Sequence, residues 1–355
     1  MSVEITKHTI LDLLFSLIST PSFSTNEDNT CTLIADFFQT YRIDIQRFGN
    51  NILVHQGSWD PGKPVVLLCS HHDTVKPNEA YTVDPFKPFI KDGKLYGLGS
   101  NDAGGSLVAM IGAFLKLYND PLPFNLLLLV AAEEEISGLN GVEMVLSHMP
   151  DIHLGIVGEP TGLQMAIAER GLLVIDAMAY GIPGHSAHNS TVNPIYKAQN
   201  DIQKIRTFSF DRISPLLGKT RAQVTQISAG HHHNQVPATC GFVIDVRINE
   251  LYTNNEIFGL LKDSLESDLV ARSFRLSSSS IDPNHPFIRL AKDMDIKLYG
   301  SPTTSDQAVM PFTTVKFGCG DSQRSHIADE YIYVEEIAKG MESYLKLLMV
   351  YQPII

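Results

Sequence analysis

The sequence predicts an α/β fold in which a mainly parallel sheet is sandwiched by helices, with a smaller α+β domain inserted into it. Its strands are apolar without alternation, as in residues 65–69 and 124–132, and they stand between helical stretches. Continuous apolar strands are typical of a sheet that is covered on both faces. The length of 355 residues also exceeds what one compact core usually holds.

The elements are predicted from the spacing of their apolar residues. Ile10 and Leu17 share one face of a predicted helix over residues 5–19. Short runs of valine, isoleucine and leucine predict strands. Further helices are expected near residues 28–41, 104–118, 139–148, 194–205, 255–267, 286–297 and 334–349. Strands are expected at residues 51–55, 65–69, 124–132, 154–157, 172–179 and 240–247.

The pattern changes near residue 171, where strands and helices begin to form a β-α-β-α block. We therefore predict an inserted domain over residues 171–280, between two parts of a larger domain at residues 1–170 and 281–355. The polar residues 277–283 are suited to the return linker because serine, aspartate and proline favour turns.

Composition excludes several classes of partner. The net charge is −12 and no Lys/Arg run is visible, which argues against nucleic acid and against an anionic membrane surface. No apolar run approaches the roughly 18–20 residues of a membrane span, and residues 1–8 lack the pattern of a signal peptide. Four cysteines lie far apart without a C-x-x-C pair (Cys31, Cys69, Cys240 and Cys319). Free thiols suit a reducing compartment, so a cytoplasmic protein is expected.

Acidic and imidazole side chains follow three of the predicted strands. His71 follows the strand at residues 65–69, the triplet Glu133-Glu134-Glu135 follows residues 124–132, and Glu159 follows residues 154–157. Ligands of open α/β sheets bind beyond the carboxyl ends of the strands. Three adjacent carboxylates are costly at a buried place, and a cation would offset that cost. The pattern therefore predicts a cation site.

Two local patterns bear on this site. His71 and Asp73 are two residues apart in extended backbone and share a face, as in a metal-bound histidine with its supporting carboxylate, or in a simple salt bridge. Asp102 lies in a Gly-rich turn that opens a helix, but this turn lacks the lysine of a phosphate loop. Residues 216–220 end like a phosphate loop, yet Ile213 stands where its first glycine is required.

These residues match a known family in order along almost the whole chain. The chain resembles the co-catalytic zinc aminoacylase/carboxypeptidase family, in its acetylornithine deacetylase and succinyl-diaminopimelate desuccinylase branch. The matching motifs are HHDTVKP at 71–77, YGLGSND at 96–102, EEE at 133–135, VGEPT at 157–161, GHSAH at 184–188, TSD at 304–306 and GDSQRSH at 320–326. Two short stretches depart from the family pattern. Residues 103–105 are Ala-Gly-Gly where Met-Lys-Gly is common, and residues 318–320 are Gly-Cys-Gly where Gly-Pro-Gly is common.

The resemblance implies a metal centre with two divalent ions. Asp102 would bridge the ions, His71 and Glu159 would complete one, and Glu135 and His326 the other. Imidazole and carboxylate ligands suit zinc, with cobalt or manganese as alternatives.

The resemblance also implies catalytic and substrate-binding roles. Glu134 would be the general base, facing the substrate while its neighbour faces metal, because adjacent residues of an extended segment point apart. Asp73 would orient the first metal histidine. His185 would hydrogen-bond the oxyanion across a dimer, or else is a surface histidine. Arg247 and Asn234 would hold the substrate carboxylate, with a structural salt bridge as the alternative for the arginine.

Together these features predict a metal-dependent amidohydrolase that removes an acetyl or succinyl group from an amino acid, such as N-acyl-ornithine in arginine biosynthesis. The larger domain would be catalytic, and the inserted domain would serve as a lid and hold a homodimer together. The alternatives are a succinyl-diaminopimelate desuccinylase, a metallo-di- or carboxypeptidase, and a non-catalytic metal or small-molecule binding protein. Glu133 receives no role from the sequence, Arg170 is read as structural, and residues 231–233, three histidines, are read as a solvated loop.

Overall fold

The computed structural model describes residues 5–353. In chain order the helices are α1 (Lys7–Ile18), α2 (Asp28–Thr40), α3 (Gly105–Leu117), α4 (Val142–Leu146), α5 (Pro194–Thr207), α6 (Asn254–Ser264), α7 (Pro286–Asp293) and α8 (Val334–Val350). The first strands are β1 (Gln46–Phe48), β2 (Asn51–His55), β3 (Val65–His71), β4 (Phe89–Lys91), β5 (Lys94–Tyr96), β6 (Asn125–Ala131), β7 (Leu154–Val157), β8 (Met165–Glu169), β9 (Gly171–Tyr180) and β10 (Gly184–His185). The others are β11 (Ile213–Ser214), β12 (Gly218–Lys219), β13 (Arg221–Ala229), β14 (Gln235–Val236), β15 (Thr239–Ile248), β16 (Asp268–Ala271), β17 (Ser279–Ser280), β18 (Leu298–Ser301), β19 (Thr314–Lys316) and β20 (Tyr331–Tyr333).

The chain divides into two compact units. The first unit comprises the described residues up to Ile167, together with Ser280–Tyr299 and the residues from Ser305 onward. The second unit comprises Ala168–Ser279 and Gly300–Thr304. The second unit therefore interrupts the first in sequence.

A mixed sheet forms the centre of the first unit, in the order β1-β2-β6-β3-β7-β19-β8. Strand β3 pairs in parallel with β6 on one side and β7 on the other, and β19 continues the parallel arrangement next to β7. Strands β1, β2 and β8 pair antiparallel at the flanks. The predicted α/β fold with a central, mostly parallel sheet is confirmed.

Burial explains the apolar composition of these central elements. Every residue of β3, β6 and β7 is buried, as expected for strands covered on both faces. Helix α3 is apolar around its whole circumference and is buried along nearly its whole length, because it packs against β3, α1 and α8. The carboxyl ends of β3, β6 and β7 are thus held rigidly at one edge of the sheet.

The second unit is built on an antiparallel sheet in the order β13-β15-β9-β16. Side chains of β9 alternate between buried and exposed, which is typical of a sheet with one covered face. Helices α5 and α6 cover that face, and their contacts with Ile175 and Ile244 lie in one apolar core.

Several elements differ from the sequence-based expectation, among them β8 and β19 of the central sheet, which were not expected. Strand β13 was not expected, because most of its side chains are exposed at the edge of the sheet and its pattern lacks an apolar run. The helix expected over residues 139–148 is confined to α4, because the residues before it close a loop through a hydrogen bond from the Gly138 N–H to the Glu133 carbonyl, 2.8 Å. Among residues 5–353, no helix is long and apolar enough to cross a membrane.

Candidate metal centre

His71 is the last residue of β3, and its imidazole is almost completely buried at the edge of the sheet. Nδ1 lies 3.0 Å from the main-chain carbonyl oxygen of Asp73 and 3.4 Å from its carboxylate. The neighbouring His72 points to the other side, where its Nδ1 lies 2.9 Å from Thr30 Oγ1. Burial lowers the pKa of His72 to about 4, so this imidazole is neutral and structural.

Asp73 also fixes the turn that carries the acidic triplet. Its carboxylate accepts the main-chain N–H groups of Glu134 at 3.0 Å and Glu135 at 3.2 Å, and the hydroxyl of Ser24 at 2.7 Å. The triplet is not extended as expected: Glu133 has a positive φ of 56°, and the following residues form one turn of 3₁₀-helix. A helical turn aims successive N–H groups in the same direction, which lets one carboxylate accept both.

Glu133 points away from its two neighbours. Its carboxylate accepts the main-chain N–H of Asn140 at 3.2 Å and the side-chain amide of the same residue at 2.9 Å. Its own N–H donates to the buried carboxylate of Glu27, 3.3 Å. Glu133 therefore closes the loop behind the turn.

Asp102 lies between the two histidines that the sequence selects. Oδ1 is 3.4 Å from His71 Nε2, and Oδ2 is 3.7 Å from His326 Nε2. The loop before Asp102 turns at Gly99, which has a φ of +74°, and a Cβ there would meet Thr74 Cγ2 at 2.5 Å. Glycine is required at that position on both grounds.

Two further carboxylates complete the cluster. Glu159 follows β7, and its Oε1 lies 3.8 Å from His71 Nε2. Glu135 Oε2 lies 2.9 Å from His326 Nε2. All five predicted metal ligands of the first unit, and the predicted base, are thus gathered at one end of its sheet.

The donor atoms at this place fit a divalent cation. Within residues 5–353, His71 Nε2 and Glu159 Oε1 are buried without a hydrogen-bond partner, which is costly unless an ion binds them. Ligand atoms lie within 4.8 Å of one another in two groups, His71 with Glu134 and Glu159, and His71 with Asp102 and Glu135. Nitrogen and oxygen donors of this kind bind zinc and similar ions.

The pKa values of several groups in the cluster are raised, as expected where negative charges outnumber positive ones. Burial, reinforced by the charge of Glu159, raises the pKa of Glu134 well above its ordinary range. Burial and the nearby Asp102 raise the pKa of Glu159 to about 8, although His71 opposes this. The hydrogen bond to Glu135 raises the pKa of His326 to about 9. A bound cation would reverse these shifts for the carboxylates.

The predicted residues of the second unit are exposed or already paired. His185 is exposed on β10, and its Nδ1 accepts the N–H of Ala187 at 3.2 Å. Asn234 lies beside it in the same unit, where the main-chain carbonyl oxygen of Asn234 accepts the N–H of Ser186 at 3.0 Å. The structure thus brings these two residues of the second unit close together.

Arg247 makes a bidentate ion pair with Asp245, with distances of 2.8 and 3.1 Å. It borders a pocket of about 350 Å³, which Arg170 and Arg221 also line. Arg170 is buried and donates to the main-chain oxygens of Leu217, Lys219 and Arg247. Three guanidinium groups and one carboxylate give this pocket a positive charge. Its other lining residues are Gln223, Thr225 and Pro302.

Sequence reasoning missed one carboxylate beside the centre. Glu330 accepts the main-chain N–H groups of Gly99, Asn101 and Asp102. Burial, reinforced by Asp102, raises the pKa of Glu330 to about 8. The only signal in the sequence is its position four residues after His326.

Comparisons with known proteins give matches over most of the chain. The sequence model of the peptidase family M20/M25/M40 matches residues 67–350. The chain is 27% identical to a succinyl-diaminopimelate desuccinylase of Wolbachia pipientis, covering 93% of this chain and 90% of that protein. It is 29% identical to an acetylornithine deacetylase of Proteus mirabilis, covering 91% and 92%.

Two solved structures share the fold. An aminopeptidase PepT from Bacillus cereus superposes with a TM-score of 0.79 at 20% identity, covering 97% of this chain and 98% of that one. A metallo-carboxypeptidase Sso-CP2 from Sulfolobus solfataricus gives a TM-score of 0.76 at 18% identity, covering 96% and 99%. The family match spans most of the chain and includes all five residues of the candidate centre. The chain therefore belongs to the peptidase family M20/M25/M40 and is a metal-dependent hydrolase of that family.

Proposed function

We propose that the protein is an amidohydrolase that removes a succinyl or acetyl group from the amino nitrogen of an amino acid. The observation that carries this proposal is the position of Asp102, whose two carboxylate oxygens face His71 and His326 respectively. A carboxylate placed between two imidazoles is suited to hold two cations side by side. The named relatives are a desuccinylase and a deacetylase, which supports an N-acyl substrate.

The metal ligands in this proposal are His71 and Glu159 for one ion, and Glu135 and His326 for the other, with Asp102 shared. Zinc is the proposed ion because of the mixed imidazole and carboxylate donors, with cobalt as the alternative. When bound, the ions would polarise the acyl carbonyl and lower the pKa of the attacking water.

Glu134 is the proposed general base. It takes a proton from the water that adds to the acyl carbon, and it gives a proton to the amine nitrogen as the C–N bond breaks. One ligand atom each of Glu134, His71 and Glu159 lie within 4.8 Å of one another, which places Glu134 beside the proposed ions. Asp73 is proposed to hold the turn of Glu134 and the imidazole of His71 in place, since it contacts both.

The second unit is proposed to recognise the substrate. The imidazole of His185 would donate to the developing oxyanion in the site of a partner copy, which makes the functional form a homodimer. Arg247 and Asn234 would bind the carboxylate of the amino acid. The positive pocket around Arg247 supports a substrate with at least one carboxylate.

The proposed substrates are N-acyl derivatives of diamino acids, with ornithine and diaminopimelate as the leading amine components. They would place the enzyme in arginine or lysine biosynthesis. The four cysteines are buried and unpaired, which supports a reducing compartment, and we propose the cytoplasm.

A turnover screen with the zinc-loaded protein tests this function. The panel contains N-acetyl and N-succinyl derivatives of ornithine, citrulline, lysine and diaminopimelate, together with di- and tripeptides. We expect the highest kcat/KM for an N-acyl amino acid, and at least a tenfold loss when its free carboxylate is converted to the amide. Faster cleavage of the peptides would support the peptidase alternative instead. No hydrolysis of any substrate by protein with both ions bound would support a non-catalytic binding protein.

A further inference from the structure

Glu330 is a buried carboxylate that gathers the loop in front of Asp102. Only 2% of its surface is exposed. One oxygen accepts the N–H groups of Asn101 at 2.8 Å and Asp102 at 3.0 Å, and the other accepts the N–H of Gly99 at 3.0 Å. Three main-chain donors therefore converge on one side chain.

This convergence links two distant parts of the chain at the metal centre. Glu330 lies four residues after His326, so the same segment supplies a predicted ligand and the anchor for the Asp102 loop. The two segments are joined a second time by reciprocal hydrogen bonds between Asn101 and Asp321, at 2.9 and 3.0 Å. The separation of Asp102 from His326 thus depends on contacts outside the ligands themselves.

The energetic cost of this arrangement indicates that it serves the site. Burying a carboxylate costs free energy, and at Glu330 the three main-chain N–H groups offset that cost. The three hydrogen bonds from Gly99, Asn101 and Asp102 hold the main chain of this loop directly, so the loop cannot shift without breaking them. An uncharged glutamine could keep one accepting oxygen, but its amide would face the remaining N–H as a second donor.

We propose that Glu330 is a positioning residue that sets the distance between Asp102 and His326, and thereby the affinity of the ion that these two residues share. This inference rests on the proposed two-ion centre. The ion on the side of His71 and Glu159 depends less on Glu330, because His71 ends β3 and Glu159 closely follows β7 in the rigid sheet. Loss of Glu330 should therefore weaken one ion more than the other.

The variant Glu330→Gln tests the proposal, with Asp329→Asn as its matched control. Asp329 is the adjacent carboxylate and accepts the N–H groups of Thr82 at 2.8 Å and Val83 at 3.2 Å, as well as the Thr82 hydroxyl. It therefore anchors a neighbouring loop by the same chemistry. Residues 82–83 carry no predicted ligand. The control therefore shows whether a loss of metal affinity follows from removing any loop-anchoring carboxylate or only from removing the one that holds the Asp102 loop.

Three measurements are made on the full-length chain. Zinc stoichiometry and affinity are measured by equilibrium dialysis, the visible spectrum is recorded for cobalt-loaded protein, and the melting temperature is measured without metal. We expect Glu330→Gln to lower the affinity of one ion at least tenfold and to alter the cobalt spectrum, while Asp329→Asn retains both ions. The melting temperatures of the two metal-free variants should be similar.

Unchanged affinity and spectrum in Glu330→Gln would overturn the inference, as would equal losses in both variants that follow their melting temperatures. If Glu330→Gln does not fold, Glu330→Asp keeps the charge and shortens the reach, and a loss of affinity for one ion is again expected. The wild-type protein separates this inference from the proposed function. Fewer than two ions in the wild type contradicts the proposed centre, whereas two ions bound with the same affinities by wild type and variant contradicts only the role of Glu330.

Discussion

The predicted site residues of the two units differ in burial and in whether their polar atoms have hydrogen-bond or ion-pair partners. In the first unit His71 and Glu159 are buried and keep atoms without hydrogen-bond partners within the described chain. In the second unit His185 is exposed, and Arg247 is already paired with Asp245. A buried polar group without a hydrogen-bond partner is costly and would be stabilised by a ligand, whereas exposed or paired groups are stable without one.

The cost of burial distinguishes these two sets of side chains. In the first unit several carboxylates lie close together and largely shielded from solvent. Their mutual repulsion is unfavourable, and this indicates that a cation binds there. The side chains of the second unit are not destabilised in this way, so their roles depend on what binds to them. Experiments on the first unit should therefore change the chemistry or the metal, and those on the second should change substrate binding.

The largest effect is expected for Glu134→Gln. This change removes the proposed proton acceptor but keeps the shape of the side chain, so kcat should fall by about 10²–10⁴-fold. The metal content should remain that of the wild type, because none of the five proposed ligands is altered. Steady-state kinetics and metal analysis of the same preparation measure both quantities.

Glu133→Gln is the matched control for this variant. Glu133 is the preceding glutamate, but its carboxylate accepts hydrogen bonds from Asn140 rather than facing the centre. We expect its kcat to fall less than tenfold. Equal losses in the two variants would refute the assignment of Glu134 as the base, as would full activity of Glu134→Gln.

Much of the candidate centre could be predicted from the sequence as one cluster, because several of its residues lie at strand ends. Strands β3, β6 and β7 are continuous apolar runs, and parallel strands place their carboxyl ends at one edge, so His71, the triplet and Glu159 had to meet. The family resemblance added Asp102 and His326, which lie on loops. Loop positions of this kind are not determined by periodicity.

The remaining features depended on tertiary contacts that leave no local pattern. Glu330 has the sequence character of a surface carboxylate, and only folding shows that three N–H groups converge on it. The 3₁₀ turn at the triplet was missed for a similar reason, because it is held by Asp73 from another strand end. Strand β13 escaped notice because an exposed edge strand needs no apolar alternation.

A smaller effect is expected in the second unit for Arg247→Lys. Lysine keeps the positive charge but loses the planar fork that binds a carboxylate with two hydrogen bonds. If Arg247 binds the substrate carboxylate, KM should rise about tenfold, equivalent to about 1.4 kcal/mol, with kcat within about twofold of the wild type. Initial-rate kinetics with the best substrate of the screen measure this separation.

Asp245→Asn provides the opposing control. It removes the carboxylate that now neutralises Arg247, at 2.8 Å, and leaves the guanidinium in place. We expect KM to stay constant or to fall. An unchanged KM in Arg247→Lys, combined with a lower melting temperature in both variants, would mean that the ion pair is only structural.

The smallest effect is expected from pH, in the metal-free protein. The pKa of His326 is raised from 6.5 to about 9 in the folded state, so its contribution to stability is complete below pH 6.5 and is lost as the pH rises to about 9. Because this side chain is half exposed, solvent reduces the contribution to about 1 kcal/mol. Glu159 acts in the same direction, because its pKa of about 8 makes the folded state bind a proton that the unfolded state has released.

The free energy of unfolding of the chelator-treated protein should therefore decrease between pH 6.5 and pH 9, as measured by urea denaturation. His326→Gln should flatten part of this slope, since Glu159 still titrates. Zinc should remove or reverse the slope, because the metal and protons compete for the same imidazole and carboxylates. An equal slope in wild type and His326→Gln would show that this histidine is not paired with Glu135 in the metal-free state. That result would weaken the view that the first unit is short of positive charge.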